Sequence, residues 1–137
     1  MDKPSFPFQY SAIPYIGRIF IPIIPIRLKT VNGVAKFNFL VDTGADLTTL
    51  PHFMASRLGI DLSKKKQSVA EGLGGFRVKT WLVKVDLIFP DDKLTVRASI
   101  TDENSTPFLL GRVDLLDVIY SWNFDAELKK IMFEPIL

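Results

Sequence analysis

The chain has 137 residues, 47% of them apolar and 23% charged, with 11 Phe and a formal net charge of +2. That is the composition of one globular domain long enough to bury a core; it excludes a disordered chain and gives little basis for a nucleic-acid or anionic-membrane partner. With no cysteine and a single histidine, His52, disulfides, thiol nucleophiles and Cys- or multi-His metal sites are excluded as well, and a Ser-His-Asp triad would have to use that one imidazole.

Met1-Asp2-Lys3-Pro4 lacks the basic and apolar regions of a secretory signal. The most apolar stretch, Ile13 to Leu28, is broken by Pro14, Arg18, Pro22 and Pro25, so no membrane-spanning helix is expected in it. Ile19 to Thr30 reads as one strand, placed at least partly at a sheet edge by its prolines. Asn32-Gly33 predicts a tight hairpin with positive φ at both positions. A strand from Ala35 to Val41 then runs straight into Asp42-Thr43-Gly44. Leu47 to Leu50 reads as a short strand and Pro51 to Leu58 as a short helix stopped by Gly59. Lys64-Lys65-Lys66 follows that helix and is expected to be a solvated loop, not a nucleic-acid patch.

A strand near Gln67 to Ala70 leads to Gly72-Leu73-Gly74-Gly75. In the strand from Phe76 to Phe89, Trp81, Val83, Val85 and Leu87 alternate with Leu82, Lys84 and Asp86, a period of two. Pro90-Asp91-Asp92-Lys93 is a turn and Leu94 to Ile100 the returning strand. Phe108 to Leu110 is a short apolar strand ending at Gly111. One or two helical turns are expected over Val113 to Val118, then a closing hairpin: Ile119 to Phe124, a turn at Asp125 to Leu128, and Lys130 to Glu134. Short β-branched and aromatic runs between turn residues predict an all-β barrel or sandwich. There is no internal repeat.

The inventory for acid–base chemistry is thus mostly carboxylates. Asp42 stands just past a strongly apolar strand, followed by a hydroxyl and a glycine. The strand would stiffen its base, Gly44 permits a tight turn, and Thr43 can hydrogen-bond locally. Alone, the tripeptide leaves an ordinary turn-forming Asp equally open. Two other segments tip the balance. Leu109-Leu110-Gly111-Arg112 is a second apolar strand that can cross beside the Asp42 loop, with Gly111 letting two backbones meet. Between them, Gly72-Leu73-Gly74-Gly75-Phe76 forms a glycine-rich tip, expected to be mobile. A plain turn or a phosphate cradle is the other reading of that tip, but no helix start or Lys-Ser/Thr pair follows it.

Together, Asp42-Thr43-Gly44-Ala45-Asp46, Gly72-Leu73-Gly74-Gly75-Phe76 and Leu109-Leu110-Gly111-Arg112 resemble the active-site loop, flap and apolar-apolar-Gly-Arg segment of the retropepsin family, the retroviral-type aspartic proteases and their cellular relatives. The resemblance spans about residues 20 to 135. It implies an acid-protease β-barrel, closed or partly open, with one or two short helices, acting as a homodimer on peptides without cofactor or metal. Residues 19–137 would be the protease domain. The catalytic loop would be Asp42, Thr43 and Gly44, with Thr43 bonding across to the other subunit. Ala45, Asp46, Gly72, Leu73, Gly74, Gly75 and Leu110 would bind substrate, with Gly111 and an Asp46–Arg112 ion pair in support. Because only one Asp-Thr-Gly is present, the second carboxylate must come from a second Asp42 across a twofold axis. Ala45 replaces a hydroxyl found in pepsins, which implies a mildly acidic optimum.

Residues 1–18 have no family counterpart and leave three readings open: an interface strand, a self-cleaved pro-segment or a disordered tail. The C-terminal hairpin is longer than the retroviral end and looks more like that of cellular and bacterial relatives, so the dimer sheet would be assembled differently. Two other functions stand beside the protease: a catalytically inactive dimerisation or peptide-binding module, and a nucleotide hydrolase using the glycine tip.

Overall fold

Period-two alternation carries most of the chain into strands. In chain order they are β1 (Ser5–Pro7), β2 (Gln9–Ile13), β3 (Gly17–Ile21), β4 (Ile23–Thr30), β5 (Gly33–Val41), β6 (Thr48–Leu50), then α1 (Met54–Arg57), β7 (Lys66–Glu71), β8 (Arg77–Phe89), β9 (Asp92–Thr101), β10 (Leu109–Leu110), β11 (Tyr120–Asp125) and β12 (Lys130–Pro135). The structure is a computed structural model and describes residues 3–90, 92–116 and 118–136. Asp91, in the expected turn after Phe89, lies outside the described residues, as does Asp117.

Hydrogen bonding orders the main sheet β4-β5-β10-β6-β9-β8-β7, and β4 also pairs with β8 at Arg27↔Ile88 and Leu28↔Leu87. That second pairing closes a six-stranded barrel, as expected of the fold class, and leaves β7 outside it as an edge strand. The barrel is filled by alternate residues: Ile24, Ile26 and Leu28 from β4, Phe39 and Val41 from β5, Val83, Val85, Leu87 and Phe89 from β8, and Val96, Ala98 and Ile100 from β9. Each large apolar side chain so buried contributes about 1.5–3 kcal/mol. Arg27, Lys84 and Arg97 occupy the outward positions between them.

The N-terminal residues join the C-terminal hairpin. Strand β1 pairs antiparallel with β12, Phe6 opposite Ile131. The Phe6 and Phe133 rings meet edge to face at 6.0 Å, and Phe133 and Tyr120 both pack on Phe89 of the barrel. Strands β2 and β3 form a separate hairpin that rests on the same end of the molecule through Phe8, Phe20 and Phe124. Among the described residues no helix is long and apolar enough to cross a membrane.

Four local expectations are corrected. The single strand foreseen over Ile19 to Thr30 is two strands, split at Pro22, which has no N–H for a ladder; its carbonyl instead accepts the Val41 N–H at 2.8 Å. The β4–β5 hairpin exists, but Val31 and Asn32 make its turn and only Gly33 takes positive φ, at 106°. The Thr30 hydroxyl bonds the Gly33 carbonyl and receives the Asn32 N–H, fixing that arrangement. The lysine run is not all loop: Lys64 ends a 3-10 turn and Lys66 begins β7.

Finally, residues 112–116 form tight turns and not a regular helix, because Asp114 is held at φ 65°. Its carboxylate accepts the Arg97 backbone N–H at 2.9 Å, Nε at 2.8 Å and Nη2 at 2.9 Å. Those bonds, from the side chain first and the backbone second, hold the Asp114 carboxyl at about 2, below its usual 3.8. A carboxyl depressed in the folded state contributes stability above its unfolded value and loses that contribution as pH falls toward the folded one. Arg97→Met is therefore expected to lower the melting temperature by a few degrees above pH 4, with the difference from wild type shrinking towards zero as pH falls to about 2. Thermal melts of both proteins across that range check it; a difference independent of pH would contradict it.

Candidate active site

The Asp42 loop is fixed from both flanks before any side chain is considered. On one side Val41 N–H bonds the Pro22 carbonyl; on the other Asp42 N–H bonds the Leu110 carbonyl at 3.0 Å, extending the parallel β5–β10 ladder. The loop then turns back on itself, Ala45 N–H to the Asp42 carbonyl at 3.1 Å, and the Asp42 Oδ1 accepts the Gly44 N–H at 2.9 Å. Asp42 is half-buried, while Thr43 and Gly44 are exposed. A carboxylate is thus presented from a stiff base with its outer face free to meet solvent or another chain.

Strand β10 locks the far side of the loop. Arg112 N–H bonds the Ala45 and Asp46 carbonyls, each at 3.1 Å, and Val113 N–H bonds Asp46 again at 2.8 Å. The Arg112 guanidinium also donates to the Asp46 carboxylate. Both side chains are more than half exposed in the single chain, so the ion pair itself contributes at most about 1 kcal/mol; the backbone bonds are the stronger restraint. Gly111 crosses so close to β6 that a Cβ there would lie 2.3 Å from the Leu47 carbonyl carbon and 2.7 Å from Thr48 N. Its N–H bonds the hydroxyl of Thr48, which is fully buried.

A cleft of about 660 Å³ opens beside the loop, walled by Gly44, Ala45, Asp46 and Leu47 on one side and by β7 and β8 on the other. The β7–β8 hairpin overhangs it, ending in a 3-10 turn at Leu73–Gly75 where Gly72 N–H bonds the Phe76 carbonyl at 2.8 Å. Every residue of β7 is exposed and Phe76 is 77% exposed. The hairpin therefore has little apolar anchoring, the condition for low local stability.

Of the residues singled out from the sequence, Asp42, Gly44, Ala45, Asp46, Leu110 and Arg112 are brought together by direct hydrogen bonds, and Gly111 is bonded beside them to Thr48. Gly44, Ala45 and Asp46 line the cleft; Asp42, Thr43, the tip residues Gly72 to Gly75, and Leu110 to Arg112 do not. Sequence reasoning missed Thr48, the buried hydroxyl that receives Gly111, and the cleft walls Leu47, Thr49, Thr80, Ser99 and Lys66. Only the period of two along β7 and β8 could have assigned Lys66 and Thr80 to a common face. The His52 ring sits 6.1 Å from the Trp81 ring, and the His52 backbone N–H donates to the Glu103 carbonyl.

Comparison with known proteins identifies the family and agrees with the fold. A family model described as aspartyl protease matches residues 29–113. A retropepsin-like aspartic protease from Rickettsia conorii has a similar fold, with a TM-score of 0.59 and 22% identity over 93% of this chain and 98% of that one. The EIAV protease, solved with the inhibitor HBY-793, aligns with a TM-score of 0.53 and 24% identity over 74% of this chain and 88% of that one. No curated protein matches the chain.

Proposed function

The chain belongs to the aspartyl protease family, and from that premise we propose that it is an aspartic endopeptidase active only as a homodimer, each subunit supplying Asp42 to one site. The observation that carries this reading is the rigid half-site: one carboxylate, pinned by backbone bonds on both flanks, in the loop whose next residues, Gly44 to Asp46, line a cleft whose opposite wall is the sheet's unpaired edge, β7. An extended peptide can add there as a further strand. Residues 19–137 constitute the protease domain in this reading, with 1–18 an extension that braces its C-terminal hairpin.

Two carboxylates about 3 Å apart cannot both stay ionised, so the pair shares one proton and holds one water. The ionised partner takes a proton from the water, whose oxygen adds to the scissile carbonyl carbon; the protonated partner donates to the carbonyl oxygen. Collapse of the resulting diol breaks the C–N bond, and a proton returns to the departing nitrogen. No covalent enzyme intermediate or cofactor takes part. Thr43 braces the two loops against each other, Gly44 to Asp46 position the substrate backbone, and Gly72, Leu73, Gly74 and Gly75 close over it and exclude water; Leu110, expected from the sequence to bind substrate, is fully buried and instead holds Asp42 through its carbonyl. Gly111 and Arg112 keep the loop in place.

A randomised peptide library incubated with the protein at micromolar concentration is expected to be cleaved, with a rate maximum in the mildly acidic range because Ala45 offers no side-chain hydroxyl to the anion. An optimum as acidic as that of pepsin would contradict the role given to Ala45. Peptides that bind at every pH and are never cut would replace the protease with a peptide-binding module.

A further inference from the structure

Strand β7 has two faces. Its ladder with β8 pairs Lys66 with Leu82, Ser68 with Thr80 and Ala70 with Val78, so the period of two puts Lys66, Ser68 and Ala70 on one face with Leu82 and Thr80. Lys66, Ser68, Ala70, Thr80 and Leu82 all border the cleft. Gln67, Val69 and Glu71 project from the other face, and because β7 is an edge strand they border the cleft as well.

The cleft's other charged residues are already balanced. Asp46 is paired with Arg112, and Glu71 with Arg77 at 3.5 Å. Lys66 takes part in none of the ion pairs among the described residues. Its neighbour Lys65 belongs to a different hollow, bordered by Ile60 and Lys84. One cation without a counter-ion therefore faces the channel.

We propose that Lys66 makes the enzyme select peptides with an acidic side chain at equivalent positions on both sides of the scissile bond. The inference rests on the reading of this cleft as the substrate channel. Symmetry does the rest: a twofold axis through the paired Asp42 residues carries a second Lys66 to the other half of the cleft, so the preference appears twice. Lys66 stands about 20 Å along β7 from the glycine tip; less the reach of its side chain, this places each preferred acid roughly four residues from the cut.

The contact is solvent-exposed, so each acid is expected to raise kcat/KM by about two- to fivefold, through KM, and less at high salt. Cleavage-site profiling of a peptide library by wild type, Lys66→Met and Lys66→Glu tests it. The expected result is Asp/Glu enrichment on both sides for wild type, none for Lys66→Met, and Lys/Arg enrichment for Lys66→Glu. Cleavage by wild type without acidic enrichment, enrichment on one side only, or enrichment that persists in Lys66→Met overturns the proposal. Absence of any cleavage by wild type would overturn the protease reading, and this inference with it.

Discussion

Replacing Asp42 with Asn is expected to lower peptide cleavage by about 10⁴-fold or more, with the fold and peptide binding kept. An amide cannot take a proton from water or carry the shared proton, and in a homodimer one substitution removes both groups at once. The loop should survive the change. Asp42 Oδ1 accepts the Gly44 N–H at 2.9 Å, and an amide oxygen in the same place can accept it too; the bonds from Val41 and Asp42 N–H to Pro22 and Leu110 involve only backbone. Activity assays on a cleaved library peptide, together with melting curves and peptide binding by fluorescence anisotropy, separate chemistry from folding. Near-normal turnover by the variant would move the chemistry to another residue.

Gly111→Ala is expected to be the most destabilising single methyl in the chain. The atoms that the new Cβ would meet, at 2.3 to 2.7 Å, are backbone atoms of Leu47 and Thr48, and backbone in a closed barrel cannot swing aside as a flexible side chain does. Either β10 leaves β6, losing the bond from Gly111 N–H to the buried Thr48 hydroxyl, or the Asp42 loop is displaced. Overpacking of this kind costs about 3 kcal/mol, which lowers the melting temperature by roughly 10 °C in a domain of this size. Activity should fall as well, since Leu110 and Arg112 on either side hold Asp42, Ala45 and Asp46. Gly72→Ala supplies the contrast: φ there is −104° and a Cβ meets nothing within 4 Å, so its melting temperature should stay at or slightly above that of wild type. Differential scanning calorimetry of both variants decides; equal melting temperatures would remove the close crossing from the account.

What the sequence disclosed was local. The strand running into Asp42, the β4–β5 hairpin and the glycine-rich tip each follow from the chemistry of a few neighbouring residues, and the structure has all three. What it concealed was set by distant partners. No residue near Asp114 announces that Arg97, on another strand, will bond its carboxylate three times and hold it left-handed, so helical turns were the natural expectation for Val113 to Val118. Closure of the barrel by Arg27 and Leu28 against β8 is equally non-local. The pairing of β1 with β12 joins opposite ends of the chain. Lys66 read as loop because three lysines together usually are one; its place on the cleft face follows only from the register of β7 on β8.

The central claim is that one site needs Asp42 from two chains, and subunit mixing tests it most directly. Wild type at fixed concentration is equilibrated with a ninefold excess of Asp42→Asn, and cleavage is measured per wild-type chain. Random pairing leaves about one wild-type chain in ten with a wild-type partner, so activity should drop to about a tenth. Activity unchanged by the excess, in a mixture shown by mass spectrometry to have exchanged subunits, would mean that a single chain holds the whole site.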